Sequence, residues 1–313
     1  MKDKFTDHSV ITVANNNLKY IKFAINCAQS ILLHNDISVF IVSNLEFQIP
    51  NKLKRHVTIV KANEQHAQLG IGIKLYIDKY LQTPKTLFID SDCVCYDSLQ
   101  PIFEACEEKN VSVAGTIVDS AIWVGAQQAA TIEKEFGIKQ LPRFNGGMYY
   151  LKKGEKTNQI FDFARSIIPN YDSFGFQRIN NKWVNEEALI AISMVKFGET
   201  PIPDDGRYMT DLYTDPHPSK LNVLTRERAL INPAMGQSRH RPWYPVGAYS
   251  PIILHFGGSN LNSYIYKSQV VLLNLRQKHL STSLSTSLVK LFIHIPFRSL
   301  RWIIGLLRSL KTS

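Results

Sequence analysis

The sequence predicts an α/β protein built on a mixed, mostly parallel sheet flanked by helices. Three observations carry that prediction. β-branched and aromatic runs alternate with stretches of helical period. The first two such runs are joined by one amphipathic stretch, the signature of a right-handed parallel crossover. A third run, "TLFID" (86–90), is apolar throughout and ends abruptly on a carboxylate, as a strand buried on both faces does at its carboxyl end.

The elements follow in order. "SVITVA" (9–14) alternates and is β-branched, so it reads as a strand. In "NNNLKYIKFAINCAQSILLH" (15–34), Leu18, Ile21, Ile25, Ala28 and Leu32 recur at three- and four-residue spacing, which predicts an amphipathic helix. "ISVFIVS" (37–43) and "HVTIV" (56–60) read as strands, "IKLYIDKYL" (73–81) as a helix, and "TLFID" as a buried strand. "VSVAGTIV" (111–118) and "GMYYLKK" (147–153) are later strands. "NEEALIAISMVKFG" (185–198) is a helix that Gly198 stops. The stretch 199–250, rich in Pro, Asp, Arg and aromatics, reads as irregular loop that forms part of a site.

Composition narrows the class. The 313 residues are 44% hydrophobic and 20% charged, enough for one large domain or two small ones. The four cysteines, at 27, 93, 95 and 106, form no Cys-x-x-Cys pair. That argues against a zinc ribbon or a disulfide framework, and for a reducing, cytoplasmic setting. The opening "MKDKFTDHSVITV" has no long apolar core, so no signal peptide is expected. No 18-residue uncharged apolar window predicts an ordinary transmembrane helix. The net charge of +10 is lopsided: residues 228–313 hold eleven Lys and Arg and no acid, while the first 227 are nearly neutral. Such asymmetry points to an anionic partner.

Asp90 and Asp92 pose the chemical question. Ligands of an open parallel sheet bind outside the carboxyl ends of its strands, where Asp90 falls. Two carboxylates at one strand end repel each other unless a cation sits between them, and their oxygens suit Mg²⁺ or Mn²⁺ bridging a diphosphate. The plainer reading has Asp90 capping a turn and Asp92 in solvent.

Further along, the chain resembles the GT-A nucleotide-sugar glycosyltransferases, and within them the glycogenin-like, family-8 type. Five pieces in order over about 250 residues carry the resemblance. They are "ITVANNNLKYIKFAINCAQSI" (11–31), "KLYIDKYLQTPKTLFIDSDCVCYDSL" (74–99) with its Asp-x-Asp, "FNGGMYYLKKG" (144–154), "NEEALIAISM" (185–194) and "ILHFGG" (253–258). The resemblance implies a GT-A fold and a divalent ion, Mn²⁺ or Mg²⁺, held by Asp90, Asp92 and His255. It implies donor contacts at Thr12, Ala14, Asn15, Asn16, Tyr20, Lys74, Ser91, Asn145, Gly146, Gly147 and Gly258. It implies catalytic or acceptor-orienting roles for Asn145, Glu186 and Glu187.

Two departures stand out. The family's Lys-Pro-Trp after the His motif is replaced by "HFGGSNLNSYIY", which leaves Arg239, Arg241 or Lys267 to supply that cation. Its Asp-Gln pair is replaced by Glu186 and Glu187. Each candidate also has a bland reading: Asn15 and Asn16 as a turn, Tyr20 as packing, Lys74 as a solvated surface lysine. The bland readings of Asn145–Gly147, one glutamate and His255 are a bulge, a residue of a helix's first turn, and a structural histidine.

The tail, "LVKLFIHIPFRSLRWIIGLLRSLKTS" (288–313), mixes large apolar residues with Lys290, Arg298, Arg301, Arg308 and Lys311. Leu300, Ile303, Ile304 and Leu307 fall on one helical face, with Trp302 suited to an interface. This predicts a helix lying on an anionic membrane surface, against the alternative of a helix packed on the domain. The expected organisation is a catalytic domain over 1–275 and a basic tail over 276–313. The expected partners are a nucleotide-sugar donor, UDP-linked as the resemblance implies, and a glycan or lipid-linked acceptor at the cytoplasmic face of a membrane. Nucleic acid is not expected. Two other readings remain: a haloacid-dehalogenase-type phosphatase with Asp90 as nucleophile, and a membrane adaptor that binds nucleotide sugar or glycan without turnover.

Overall fold

The computed structural model describes residues 4–212, 220–297, 299–300 and 302–304. Strands in chain order are β1 (Lys4–Val13), β2 (Asp36–Ser43), β3 (Val57–Lys61), β4 (Lys85–Ile89), β5 (Cys93–Cys95), β6 (Val111–Ser112), β7 (Ala114–Asp119) and β8 (Gln140–Phe144). They continue as β9 (Met148–Lys152), β10 (Ile202–Pro203), β11 (Met209–Asp211), β12 (Lys220–Asn222), β13 (Glu227–Asn232), β14 (Gly247–Tyr249) and β15 (Ile253–His255). The main sheet has six strands in the order β3-β2-β1-β4-β9-β6. β3, β2, β1 and β4 run parallel and β9 is antiparallel to β4, so the sheet is mixed and mostly parallel, as the sequence predicts.

Period-two alternation puts a core on each face of this sheet. Ile11, Phe88, Tyr149 and Leu151 face one core with the helices Glu155–Ile167 and Glu186–Lys196. Val10, Leu87, Ile89, Met148 and Tyr150 face the other, with the helix Leu18–His34. Leu87, Phe88 and Ile89 are fully buried, each contributing about 1.5–3 kcal/mol of apolar burial. β4 is thus held from both sides, and its end is a rigid place to mount Asp90. A third core joins β12, β13 and β15 to the helices Tyr264–Gln277 and Thr282–Val289. The first of these helices runs through position 275, and the second buries Ser285 and Val289.

Three local expectations change. The helix expected at 73–81 is a 3₁₀ helix over Gly70–Tyr80; two glycines and the β-branched Ile71, Ile73 and Ile77 weaken its α-propensity. The strand expected at 111–118 divides at Val113 into β6 and β7, which belong to different sheets. The stretch 199–250, expected as loop, carries β10 to β14. Several of these have only two or three residues, too few to show a period. Among the described residues no helix is long and apolar enough to cross a membrane.

Candidate functional site

The site forms where three short pairings bring distant carboxylates to one histidine. Past β4, the Asp90 N–H donates to Gly147 O (2.9 Å), and Cys93 N–H donates back to Asp90 O (3.0 Å), turning the chain into β5. β5 pairs antiparallel with β15, setting Cys93 opposite His255. β15 pairs parallel with β11, setting Asp211 opposite His255. His255 Nε2 consequently lies 3.1 Å from Asp92 Oδ1 and 4.0 Å from Asp90 Oδ2, and its Nδ1 lies 2.6 Å from Asp211 Oδ1. Asn145 Nδ2 donates to both Asp211 oxygens, at 3.3 and 3.1 Å.

Both carboxylates thus lie within reach of His255 Nε2, at distances that ligands of one hard divalent ion can take. Ligand bonds of about 2.1 Å put neighbouring octahedral ligands roughly 3.0 Å apart and opposite ones roughly 4.2 Å apart. Asp92, Cys93 and His255 also cluster, with their donor atoms within 4.8 Å of one another. Burial, however, keeps the Cys93 thiol protonated, and it donates to Gly147 O (3.9 Å). That leaves Asp92 and His255 as the donors of the cluster, with Asp90, bonded to Lys74 and 4.0 Å from His255 Nε2, the nearest further carboxylate. Asp211 is positioned to hold the imidazole so that Nε2 faces that ion.

The second half of the site is built on Gly146. Lys74 Nζ bonds Asp90 Oδ2 (2.8 Å) and Gly146 O (2.9 Å), and it lies 3.1 Å from Glu186 Oε1. Gly146 N–H donates to Glu187 Oε1 (2.6 Å), and Tyr149 OH donates to Glu186 Oε1 (3.1 Å). A Cβ at position 146 would stand 2.6 Å from Glu186 Oε1 and 2.8 Å from Tyr149 OH, so any larger residue would displace these two side-chain ends. The glutamates open a helix whose N-cap, Asn185, accepts from Glu187 N–H; negative charge is favoured there.

Burial and charge oppose each other at these groups. Burial raises Asp90, and Asp92 adds to that, although Lys74 pulls it down. Burial also opposes the charge on Asp92, but the bond and charge of His255 hold it below the usual carboxylate range. Burial disfavours the His255 imidazolium, yet bonds to Asp211 and Asp92 overcome this and push its pKa well up. Burial, then the neighbouring Glu186, push Glu187 up to about 7. Lys74 stays charged despite burial because Asp90 and Glu186 surround it.

Beside this cluster lies a cavity of about 360 Å³, in the range of small-molecule sites. Asn15, Asn16, Tyr20, Gly70, Ile71, Lys74, Asp90, Ser91, Asp92 and Trp183 help line it. Both polar atoms of the Asn15 amide and Oγ1 of Thr12 are buried without a hydrogen-bond partner. An unmet buried group costs about 1–3 kcal/mol, which at Asn15, a lining residue, is consistent with a ligand that completes its bonds. Asn16 sits in left-handed backbone (φ 62°) and ties its amide to Ala67 O (2.7 Å). Ala14 is scaffold: its N–H donates to Val42 O, and its carbonyl accepts from Ser43 Oγ.

The structure therefore brings together Lys74, Asp90, Asp92, Asn145, Gly146, Gly147, Glu186, Glu187 and His255, with Asn15, Asn16, Tyr20 and Ser91 around the adjoining cavity. Gly258 begins a 3₁₀ turn and does not line that cavity; neither do Arg239, Arg241 and Lys267. Asp211 and Trp183 escaped the sequence reading. "YMTDLY" offered a faint signal for Asp211, a short strand ending on an acid as "TLFID" does.

No protein-family model matches this sequence, and no curated protein matches it. Among solved structures the chain is similar to galactosyltransferase LgtC in complex with donor and acceptor sugar analogs, at 13% identity and a TM-score of 0.47, covering 80% of this chain and 87% of that one. It is also similar to mouse xyloside xylosyltransferase 1, at 10% identity and a TM-score of 0.49, covering 82% and 99%. A third is glycosyltransferase GlyE of Streptococcus pneumoniae TIGR4, at 13% identity and a TM-score of 0.36, covering 63% and 46%. At such identities no residue's role passes from those enzymes to this chain; the roles below rest on distances within the site.

Proposed function

We propose that this chain is a metal-dependent GT-A glycosyltransferase of the glycogenin-like type. It transfers a sugar from a nucleoside-diphosphate donor, UDP-linked, to a hydroxyl of a glycan or lipid-linked acceptor. One observation carries the reading: Asp90 and Asp92 converge on His255, both within 4.0 Å of its Nε2, at the end of a cavity that continues to the unpartnered Asn15 amide.

In this reading Asp90, Asp92 and His255 hold Mn²⁺ or Mg²⁺, which supplies charge to stabilise the leaving diphosphate. Asn15 and Asn16 take the nucleoside, with Tyr20 beside them; Thr12 is fully buried and does not line the cavity. Lys74 fixes Asp90 and the Gly146 carbonyl, so the floor under the transferred sugar does not shift. Glu187, titrating near neutrality, is placed to receive a proton from the acceptor hydroxyl. Glu186 holds Lys74 and Tyr149 in place.

The tail supports a membrane setting. Phe292 and Trp302 are each 68% exposed, and Leu291, Ile295, Leu300 and Ile303 are about half exposed. The exposed Lys290 lies among them. Arg298, Arg301, Leu307, Arg308 and Lys311 lie outside the residues whose side chains are described. Apolar side chains beside a basic sequence suit an anionic leaflet, and we place the enzyme on the cytoplasmic face.

The test is UDP release from a panel of UDP-sugars with Mn²⁺, with and without simple glycan acceptors. Release by the wild type and none by Asp92→Ala is expected. Equal release by both would refute the metal-site mechanism, and a trapped phosphoenzyme at Asp90 would favour the phosphatase reading.

A further inference from the structure

We propose that Lys182 and Trp183 form a donor clamp: the indole walls the cavity, and the ammonium supplies positive charge for the diphosphate. This rests on the nucleotide-sugar reading and adds two residues to it.

The indole is a member of the cavity wall, not of the core. Trp183 lines the cavity with Lys74 and Asp90 but belongs to none of the three hydrophobic cores. Its contact is the bare backbone of Gly70. A Cβ there would stand 2.8–2.9 Å from Cδ2, Cε2 and Cε3 of the indole, and the backbone is left-handed (φ 61°). Glycine is required twice over at that position. Gly70 lies four residues before Lys74, and Trp183 three residues before Glu186, so the contact is tethered to the charged end of the site.

The turn that carries the pair is well defined. Ile179 and Trp183 exchange backbone hydrogen bonds at 2.8 and 3.0 Å around a three-residue loop. Asn180 and Asn181 take left-handed backbone (φ 53° and 55°), which asparagine tolerates best among residues with a side chain. Arg178 anchors the base, bonding both Asp172 oxygens at 2.8 Å and the Lys182 carbonyl at 3.2 Å.

Charge gives the turn its purpose. Asp90, Asp92, Asp211, Glu186 and Glu187 converge here, and the cations Lys74 and His255 are already engaged with them. Among the described residues lining the cavity, Lys74 is the one basic side chain. A diphosphate brings further negative charge, beyond what one divalent ion and Lys74 offset. Lys182 is exposed and does not itself line the cavity, but its Nζ rests 4.2 Å from the centroid of the lining Trp183 ring, a cation–π position that keeps an ammonium one residue from the wall. Lys19 rides on Tyr20 at 5.0 Å, but it follows Asn15 and Asn16 in the chain and so belongs to the nucleoside end.

The experiment titrates UDP with Mn²⁺ into wild type, Trp183→Ala, Trp183→Phe and Lys182→Gln, by calorimetry and by tryptophan fluorescence. We expect Trp183→Ala and Lys182→Gln each to weaken binding by about tenfold, with Lys182→Gln also flattening its salt dependence. Trp183→Phe should bind within about threefold of wild type yet lose the fluorescence change. If wild type binds UDP, but the variants bind within about twofold of it and Trp183→Phe keeps the fluorescence change, the clamp is wrong and the donor site stands. If wild type binds no nucleoside diphosphate with Mn²⁺, the donor reading fails and takes the clamp with it. Should Trp183→Ala not fold, Trp183→Phe and Lys182→Gln decide.

Discussion

Replacing Asp211 probes the site through a residue that need not touch the metal. Asp211 is 8% exposed and accepts from His255 Nδ1 at 2.6 Å and from Asn145 Nδ2 at 3.1 and 3.3 Å. Asp211→Asn preserves the shape and removes the charge. A hydrogen bond to a charged partner contributes about 1.5–3 kcal/mol, and loss of a metal ligand's outer partner costs about 10–100-fold in affinity, or roughly 1.4–2.7 kcal/mol. The two ranges overlap. Asparagine should fall at the weak end, about tenfold, because its amide oxygen can still accept from Nδ1. Asp211→Ala should reach about a hundredfold and lose about 1–3 kcal/mol of stability, since it strands Nδ1 of His255 and the Asn145 amide. The assay is calorimetric Mn²⁺ titration, with Asp92→Ala as the reference for a lost ligand. An Asp211→Ala protein that stays folded and binds Mn²⁺ like wild type would show that Asp211 does not hold His255 for the ion.

Three further outcomes follow from the same geometry. Without metal, His255 is held protonated between Asp92 and Asp211, whereas ligation needs a neutral Nε2; Mn²⁺ binding should therefore release about one proton and tighten as pH rises, measured in buffers of different ionisation heat. Glu187 titrates at about 7 when folded against 4.5 ordinarily. The folded state thus holds that proton more tightly, and its contribution to stability is whole below pH 4.5 and lost as pH rises through 7. Urea unfolding of metal-free protein should show wild type losing roughly 1–3 kcal/mol relative to Glu187→Gln between about pH 5 and 8; parallel pH curves would contradict this. Phe292→Ser with Trp302→Ser should abolish cosedimentation with anionic vesicles and leave the melting temperature unchanged, both side chains being 68% exposed. Equal binding of this variant and the wild type would remove the tail from the membrane account.

How much of this was legible beforehand depended on the length scale of each signal. β1, β2 and β4 are long enough to show alternation or a continuous apolar run, and the helices Leu18–His34 and Glu186–Lys196 show their period and caps. The carboxylates at 90 and 92 stood out because acids seldom follow a fully apolar strand. Asp211 did not, because β11 has three residues and takes its meaning from pairing with β15, some forty residues on. Trp183 was hidden for a different reason. Nothing local tells a core indole from a wall indole; the distinction lies in its contact with Gly70, more than a hundred residues away. The 3₁₀ form of Gly70–Tyr80 was equally hidden, since its apolar spacing fits an α-helix and the two glycines shift the balance.

The central claim is that Asp90, Asp92 and His255 form a metal–diphosphate site. The most direct measurement is thermal unfolding of wild type and Asp92→Ala with UDP, with Mn²⁺, with both and with neither. A ligand bound only by the folded state stabilises it by about 2.7 kcal/mol at a hundred times its Kd. UDP should raise the wild-type melting temperature only when Mn²⁺ is present, and Asp92→Ala should not respond to the pair. A UDP shift that is the same without metal, or that survives in Asp92→Ala, would contradict a metal–diphosphate site.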